Sequence, residues 1–182
     1  MRTESSTSTH TASGQTALVT SVQSEADVLS YSDGNTTLEG TRIVSATGAV
    51  TLHAGHKLDI RTATDIYFQE DTYEESGFGF SGKGIGAYSR SDIERLNSIT
   101  AVGALVSGNT VTATADNDIA ITGSTLVASH DLIVAAQGQL TLAAADNHQT
   151  TYQHHESSMT GLFHSGGLSL TLGQQSQDQT DA

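Results

Sequence analysis

The chain has 182 residues, and its 20 Asp and Glu against 7 Lys and Arg give a formal net charge of −13. This charge repels a phosphate backbone and leaves few cations to displace counterions, which argues against nucleic acid as a partner. Cys, Pro and Trp do not occur in the sequence, so neither a disulfide framework nor a thiolate metal site is expected.

Residue usage predicts strands and tight turns and almost no helix. Short runs of Thr, Val, Ile and Leu are broken by Gly, Asn and Asp, and these two groups favour strands and turns respectively. No run approaches the roughly 18 consecutive apolar residues of a membrane span, and the first six residues lack the apolar segment of a signal peptide. If the parent protein is exported, its signal is expected elsewhere.

Two degenerate copies of one repeat make up most of the chain. Residues 38–44 align with residues 121–127 at an offset of about 83 positions. The alignment continues, with one-residue slips, into a Gly- and Ser-rich second half of each copy. Self-similarity at a fixed offset is the sequence signature of repeat architectures. We predict copy one at residues 21–100 and copy two at residues 101–182.

The first half of each copy alternates apolar and polar residues in short segments. In copy two the apolar pairs are Val111 with Ala113, Ile119 with Ile121, Leu126 with Ala128, Leu132 with Val134, and Leu140 with Leu142. Such alternation is typical of strands with one buried face. Val111 and Leu132 are 21 positions apart, as are Ile119 and Leu140. Three short strands therefore fill about 21 residues.

Three strands per 21 residues predict one triangular coil of a right-handed parallel β-helix, an all-β solenoid with Gly-rich hairpin excursions. In copy one we expect Leu38 and Leu58, 20 positions apart, to be a stacked pair. One coil buries too little apolar surface to offset its conformational entropy, so coils are expected only in stacks. An antiparallel sandwich is the alternative, because its short strands have a similar spacing. The repeated spacing within each copy favours the solenoid.

Copy two also carries an ordered set of motifs. They lie at residues 121–127, 131–142, 152–163 and 166–173. The third contains Glu-Ser-Ser followed by Gly-x-Phe, and copy one has a shorter version at residues 74–82. In this order the motifs resemble the filamentous haemagglutinin repeats of two-partner-secretion exoproteins, in particular their distal repeat region. That family includes contact-dependent growth inhibition effectors and haemagglutinin-like adhesins. Residues 1–20 look like the tail of a preceding repeat.

The resemblance implies a structural segment of a large secreted protein, exported through an outer-membrane transporter and wound into a filament at the bacterial cell surface. One implied role is toxin delivery to neighbouring bacteria, in which the distal repeats act on the target cell's outer membrane. The alternative is adhesion to host cells or biofilm through a surface receptor. Adjacent repeats of the same chain are the remaining expected partners. We expect polar loops at residues 68–75 and 147–158 to carry any adhesion.

The Gly-rich halves predict a hairpin in each copy. Their apolar residues partly alternate with Gly, Ser or Thr, a pattern that also suits strands facing a membrane. The candidate membrane-interacting residues are Phe78, Phe80, Ile85, Phe163, Leu168, Leu170 and Leu172. A hairpin that only covers a sheet edge or the core is the alternative.

We predict no catalytic, cofactor or metal site. Residues 77–84 imitate a phosphate-binding loop, but Gly stands at the end, where that loop needs a hydroxyl group. His154 and His155 are adjacent, so on a strand they cannot face one metal, and we expect a solvated polar loop there. Asp116 and Asp118 suit a turn better than a calcium loop.

The main competitor from another class is a β-helical polysaccharide lyase or hydrolase. Such an enzyme needs clustered carboxylates, with Arg or Lys, in a groove. Asp59 and Asp65 with Lys57 and Arg61 are the candidate residues, but the two cations have no counterpart in copy two. We therefore expect a structural protein and not an enzyme.

Overall fold

A computed structural model describes residues 3–81, 84–164 and 170–181, and the regular elements in these ranges are all strands. In chain order they are β1 (Thr3–Gln15), β2 (Ser21–Ser24), β3 (Val28–Ser32), β4 (Thr36–Glu39), β5 (Arg42–Ser45), β6 (Val50–Ala54), β7 (Leu58–Arg61), β8 (Ala63–Ser81), β9 (Gly84–Val102), β10 (Leu105–Gly108), β11 (Val111–Ala115), β12 (Ile119–Thr122), β13 (Thr125–Ala128), β14 (Leu132–Ala136), β15 (Leu140–Ala143), β16 (His148–His164) and β17 (Leu170–Asp181).

The chain divides into two compact units. Residues 15–66 and 99–148 form one unit, which we call the solenoid. The other unit contains residues 1–14, 67–98 and 149–182, and we call it the hairpin sheet.

The solenoid consists of four coils of three strands each. The coils are β2 to β4, β5 to β7, β10 to β12 and β13 to β15. Corresponding strands of successive coils pair in parallel, and they form three four-stranded sheets with the orders β2-β5-β10-β13, β3-β6-β11-β14 and β4-β7-β12-β15. The predicted parallel β-helix is confirmed, and the antiparallel sandwich is excluded for this unit.

The strand register predicted for copy two is also confirmed. Val111 pairs with Leu132, and Ile119 pairs with Leu140. These pairs lie in two different sheets, so the spacing of 21 residues describes a whole coil.

The register predicted for copy one is wrong by two residues. Leu38 pairs with Ile60, and Leu58 pairs with Thr36. Both registers keep the same side chains facing inward, because side chains alternate with a period of two. The alternation in the sequence therefore does not distinguish them.

Aliphatic side chains from the two middle coils form the solenoid interior. The largest fully buried members are Val50, Leu52, Leu58, Ile60, Val106, Val111 and Ile119. Burial alternates along the strands of these two coils, and residues 50, 52 and 54 of β6 are buried. In the last coil the corresponding inward positions are more exposed to solvent, because a neighbouring coil covers them on one side only. Leu140 is 44% exposed, whereas its stacked neighbour Ile119 is fully buried.

Side-chain oxygens in the turns bind backbone amides of the next coil. Asp27 Oδ1 accepts a hydrogen bond from the Ala49 N–H at 2.7 Å, and Asp118 Oδ1 accepts one from the Gln139 N–H at 2.8 Å. Asp118 thus has a turn-forming role, as its sequence context predicts.

Two glycines occupy equivalent turns, 83 positions apart. Gly40 has a φ of +56° and Gly123 a φ of +53°, values in the left-handed region that favours glycine. Their spacing equals the offset of the two copies in the sequence. The copy boundaries themselves stay a prediction.

The hairpin sheet has the strand order β1-β8-β9-β16-β17. β8 and β9 follow each other along the chain, as do β16 and β17, so each pair is one of the predicted Gly-rich hairpins. β16 and β17 pair antiparallel, with Gly161 opposite Gly173 and Leu162 opposite Leu172.

The polar stretches expected to be loops are strands. Residues 68–75 lie in β8, and residues 148–158, including His154 and His155, lie in β16. Their polar composition suggested loops because a strand usually shows one apolar face. Here most of the described side chains on both faces of the sheet are exposed or half-buried, so the strands need no continuous apolar face.

Candidate functional site on the hairpin sheet

The two faces of the hairpin sheet differ near the ends of the hairpins. The Tyr88 hydroxyl donates to Glu75 at 3.1 Å, so these two side chains share one face. Side chains alternate between the faces along each strand. Phe78 on β8 and Ile85 on β9, each an odd number of residues away, therefore lie on the other face.

The same pattern extends across β16 and β17. Ser89 Oγ lies 2.8 Å from Ser158 Oγ, and Asp92 bonds His155. Because the partners move backwards along β16 as the chain advances along β9, the two strands run antiparallel, with Ile85 opposite Leu162. Leu162 in turn is opposite Leu172, and directly opposed residues point to the same face. Four large apolar residues near the hairpin ends share this face, and we call them the apolar tip: Phe78, Ile85, Leu162 and Leu172.

The apolar tip is accessible to solvent. Phe78 is 49% exposed, Leu162 42% and Leu172 77%, whereas Ile85 is half-buried. Transfer of apolar side chains of this size out of water lowers the free energy. A cluster of them on one sheet face is the feature of this unit that most suits an apolar partner.

The structure brings together three of the seven candidate membrane-interacting residues, Phe78, Ile85 and Leu172. Phe163 is buried and points to the opposite face from its neighbour Leu162. Phe80 and Leu170 lie in β8 and β17, but their side chains are outside the described residues, as is the whole of Leu168.

Sequence reasoning missed Leu162. The signal that could have found it is cross-strand pairing, because an antiparallel hairpin of copy two brings Leu162 opposite Leu172. Placing that pair requires the hairpin register, which the alternation alone does not specify.

Away from the tip, the opposite face of the sheet carries linked charges. Residues of all five strands line a cleft of about 530 Å³ there. His10 on β1 bonds Asp71 on β8, and His155 on β16 bonds Asp92 on β9. Arg90 Nε also donates to Asp92, at 2.8 Å. The histidine pairs therefore join β1 to β8 and β9 to β16.

Both carboxylates in these pairs have lowered pKa values. Hydrogen bonds from Gln69 and from its histidine partner lower the pKa of Asp71. Burial opposes ionisation of Asp92, but hydrogen bonds from His155 and Arg90 together outweigh it and lower its pKa. These acids are held ionised by neighbours within the sheet, which suits a structural role better than proton transfer.

The histidines considered as metal ligands point away from each other. His154 Nδ1 lies 2.9 Å from the Thr180 hydroxyl and 3.5 Å from Asp178, whereas His155 contacts Asp92 on the other face. Within the described ranges, no group of three or more His, Cys, Asp or Glu is arranged to hold a metal ion.

The acids and cations considered for polysaccharide chemistry bind to one another or to the backbone. Lys57 Nζ lies 3.5 Å from Asp59, and Arg61 donates to Glu39 at 2.7 Å. Asp65 accepts a hydrogen bond from a backbone N–H at 2.7 Å. The residues that imitate a phosphate-binding loop include the last five of β8 and the first of β9, and residues 82–83 between them lie outside the described residues.

Stacked parallel coils, with long hairpins inserted between them in the sequence, define a β-helical repeat protein. The family model described as Hemagglutinin repeat matches residues 84–180, more than half of the chain. The chain therefore belongs to the hemagglutinin repeat family, which confirms the resemblance in the motifs. No helix in the described residues is long and apolar enough to cross a membrane.

The curated relatives include several large proteins named CdiA. The chain is 33% identical over 131 residues to a tRNA nuclease CdiA of Escherichia coli, covering 71% of this chain and 4% of that protein. It is 29% identical over 168 residues to a 16S rRNA endonuclease CdiA of Enterobacter cloacae, covering 87% of this chain and 5% of that protein. A tRNA nuclease CdiA of Yersinia mollaretii is 28% identical over 138 residues, which are 75% of this chain and 4% of that protein.

The chain thus spans about one twenty-fifth of the length of these relatives. It is a repeat segment of the kind that such large contact-dependent growth inhibition exoproteins contain. No solved structure matches the chain significantly.

Proposed function

We propose that this segment is a structural part of a surface exoprotein and supports toxin delivery by contacting the outer membrane of a target bacterium through its apolar tip. The observation that carries the proposal is the grouping of Phe78, Leu162 and Leu172 on one face, each more than 40% exposed. Strands that contact a hydrocarbon phase present such a face.

Family membership and charge chemistry support a non-enzymatic role. The relatives are named as nucleases, but the similarity covers only 3–5% of their length, and nuclease activity is attributed here to those whole proteins. The net charge of −13 also opposes binding to nucleic acid.

Vesicle flotation tests the membrane contact. The purified chain is mixed with uncharged vesicles of phosphatidylethanolamine and phosphatidylcholine, since an anionic surface would repel its net charge of −13, and centrifuged through a density gradient. We expect the wild-type chain to float and Leu172→Ser to float about tenfold less, because a buried leucine side chain contributes about 1.5–3 kcal/mol.

Leu29→Ser is the matched control, since Leu29 is also an exposed leucine, at 73%, but lies on β3 of the solenoid. Equal flotation of both variants, or no flotation of the wild-type chain, contradicts the membrane contact. Binding to intact target cells without binding to vesicles would instead support adhesion to a surface receptor.

We further propose that the parent protein is exported by an outer-membrane transporter of the two-partner-secretion type and displayed at the cell surface. The support is its membership of the hemagglutinin repeat family. Protease added to intact producing cells should cleave the displayed segment. Deletion of the transporter gene should abolish that cleavage, while the protein remains detectable inside the cells.

A further inference from the structure

The hairpin sheet is built from one joint that occurs twice. β9 runs from its hairpin back into the solenoid, and β1 likewise leads into the solenoid at β2. Each of these returning strands pairs with the outgoing strand of the next hairpin, β1 with β8 and β9 with β16. Hairpins in this chain are therefore joined edge to edge, returning strand to outgoing strand.

Side chains reinforce both joints. The first carries the hydrogen bond between His10 and Asp71. The second carries the bond between His155 and Asp92, together with contacts between Ser89 and Ser158 at 2.8 Å and between Gln153 and Glu94 at 3.4 Å. The joints combine backbone pairing with specific polar contacts, so they are built interfaces.

β17 is the second strand of its hairpin, as β9 is of the preceding one, and it has one occupied edge. It pairs with β16 on one side and stands last in the strand order of the described chain. Residues 170–177 contain no charged residue and no Pro. Lysines and prolines are common means of protecting an edge strand from further pairing. The edge of β17 is thus open and unprotected along two thirds of its length.

The two kinds of sheet gain strands at the same rate. From β2 to β9, the chain adds two coils, hence two strands to each parallel sheet, and two strands to the hairpin sheet. Neighbouring strands are about 4.8 Å apart in parallel and antiparallel sheets alike. Each copy therefore adds two strands, or about 10 Å, to each of these sheets.

We infer that the free edge of β17 is a docking surface for the outgoing hairpin strand of another copy of this repeat. The occupant is a strand equivalent to β8 or β16, and it pairs antiparallel with β17 as β16 pairs with β9. The hairpin sheet then grows by two strands with every repeat. This inference is independent of the membrane contact proposed above.

Hydrogen exchange on an extended chain tests the docking surface. Residues 16–102 are repeated after Asp181, which adds two coils and one hairpin. The matched control repeats residues 16–66 joined through two glycines to residues 99–102, which adds the coils without the hairpin. We expect alternate amides of β17 to exchange at least about tenfold more slowly with the hairpin than with the coils alone. Equal exchange of β17 in the two extended chains overturns the inference.

A second experiment uses the 182-residue chain and does not depend on either extension folding. A synthetic peptide with the sequence of β16, residues 148–164, is added in trans, and slower exchange of alternate β17 amides is expected. Gln174→Pro and Gln175→Pro are tested alongside, because adjacent strand residues direct their N–H groups to opposite edges. One variant should lose peptide binding and keep slow exchange in β16. Failure of the peptide to change exchange in the wild-type chain contradicts the docking surface.

Discussion

Single glycines fix the backbone for two different reasons in this chain. Gly40 and Gly123 adopt positive φ in equivalent turns of the solenoid, where an L side chain is strained. Gly86 and Gly161 lie on neighbouring strands, and a Cβ on Gly161 would lie 2.2 Å from the carbonyl oxygen of Ile85. Glycine thus permits a left-handed backbone conformation in the solenoid and a close approach of neighbouring strands in the hairpin sheet.

Substitution of either turn glycine should lower the stability of the solenoid. Gly123→Ala should lower the free energy of unfolding by about 2 kcal/mol or more, because it combines left-handed strain with a Cβ 2.3 Å from that of Ala145. Gly34→Ala is the control, since the nearest atom to its new Cβ is 4.0 Å away, and it should change stability by less than about 0.5 kcal/mol. Urea unfolding followed by circular dichroism measures both values, and equal effects would contradict the role of φ.

At the scale of elements, the hairpin sheet holds together without a continuous apolar core. Its strands are linked by backbone pairing and by polar pairs on both faces, such as Arg95 with Glu70 on one face and His155 with Asp92 on the other. Ion pairs that are partly open to solvent each contribute little. The sheet should therefore respond to pH more strongly than the solenoid, whose interior is aliphatic.

Asp92 should make the joint between β9 and β16 sensitive to acid. Its pKa is lowered in the folded chain, so its contribution to stability is present above the unfolded pKa of about 3.9 and is lost as pH falls through the folded value. His155→Gln should raise the midpoint of the Asp92 carboxyl titration measured by ¹³C NMR. The variant removes a hydrogen bond that lowers the pKa of Asp92, whereas the burial that raises this pKa remains. His154→Gln is the matched control, because His154 bonds Thr180 instead. A similar shift in both variants would contradict the claim that the bond from His155 lowers the pKa of Asp92.

At the scale of the whole molecule, the solenoid is a stack of coils in which the stability of each coil depends on its neighbours. In the solenoid, a middle coil has a coil on each side, while an outer coil has one. Apolar burial follows this arrangement and falls from the middle coils to the last coil. The stability of such a stack is approximately a sum of coil and interface terms.

The same substitution should therefore have unequal effects in different coils. Leu52→Ala, in the second coil, should cost about 2–5 kcal/mol because Leu52 is fully buried. Leu142→Ala, at an inward position of the last coil that is 70% exposed, should cost less than about 1 kcal/mol. Thermal and urea unfolding compare the two variants. A cost at Leu142 equal to that at Leu52 would mean that the last coil is covered, for example by self-association, which sedimentation would detect.

In copy two, the sequence by itself determined the strands β11 to β15 and which of their side chains face inward. Alternation is a local property, and the repeat at 21 residues in copy two recurs in two sheets, so Val111 and Ile119 could be stacked correctly on Leu132 and Leu140. The motifs of the Gly-rich halves likewise sufficed to indicate the family.

Only the tertiary structure decided the register of Leu38 and the membership of the apolar tip. A slip of two residues preserves the inward face, so pairing Leu38 with Ile60 required the real length of the intervening turns. The tip unites the two hairpins β8–β9 and β16–β17 through the long-range pairing of β9 with β16. The polar strands that carry it resemble loops in sequence, because both faces of their sheet meet water. Strand pairing between distant segments is set by backbone hydrogen bonds across the sheet, and these leave no period in the sequence.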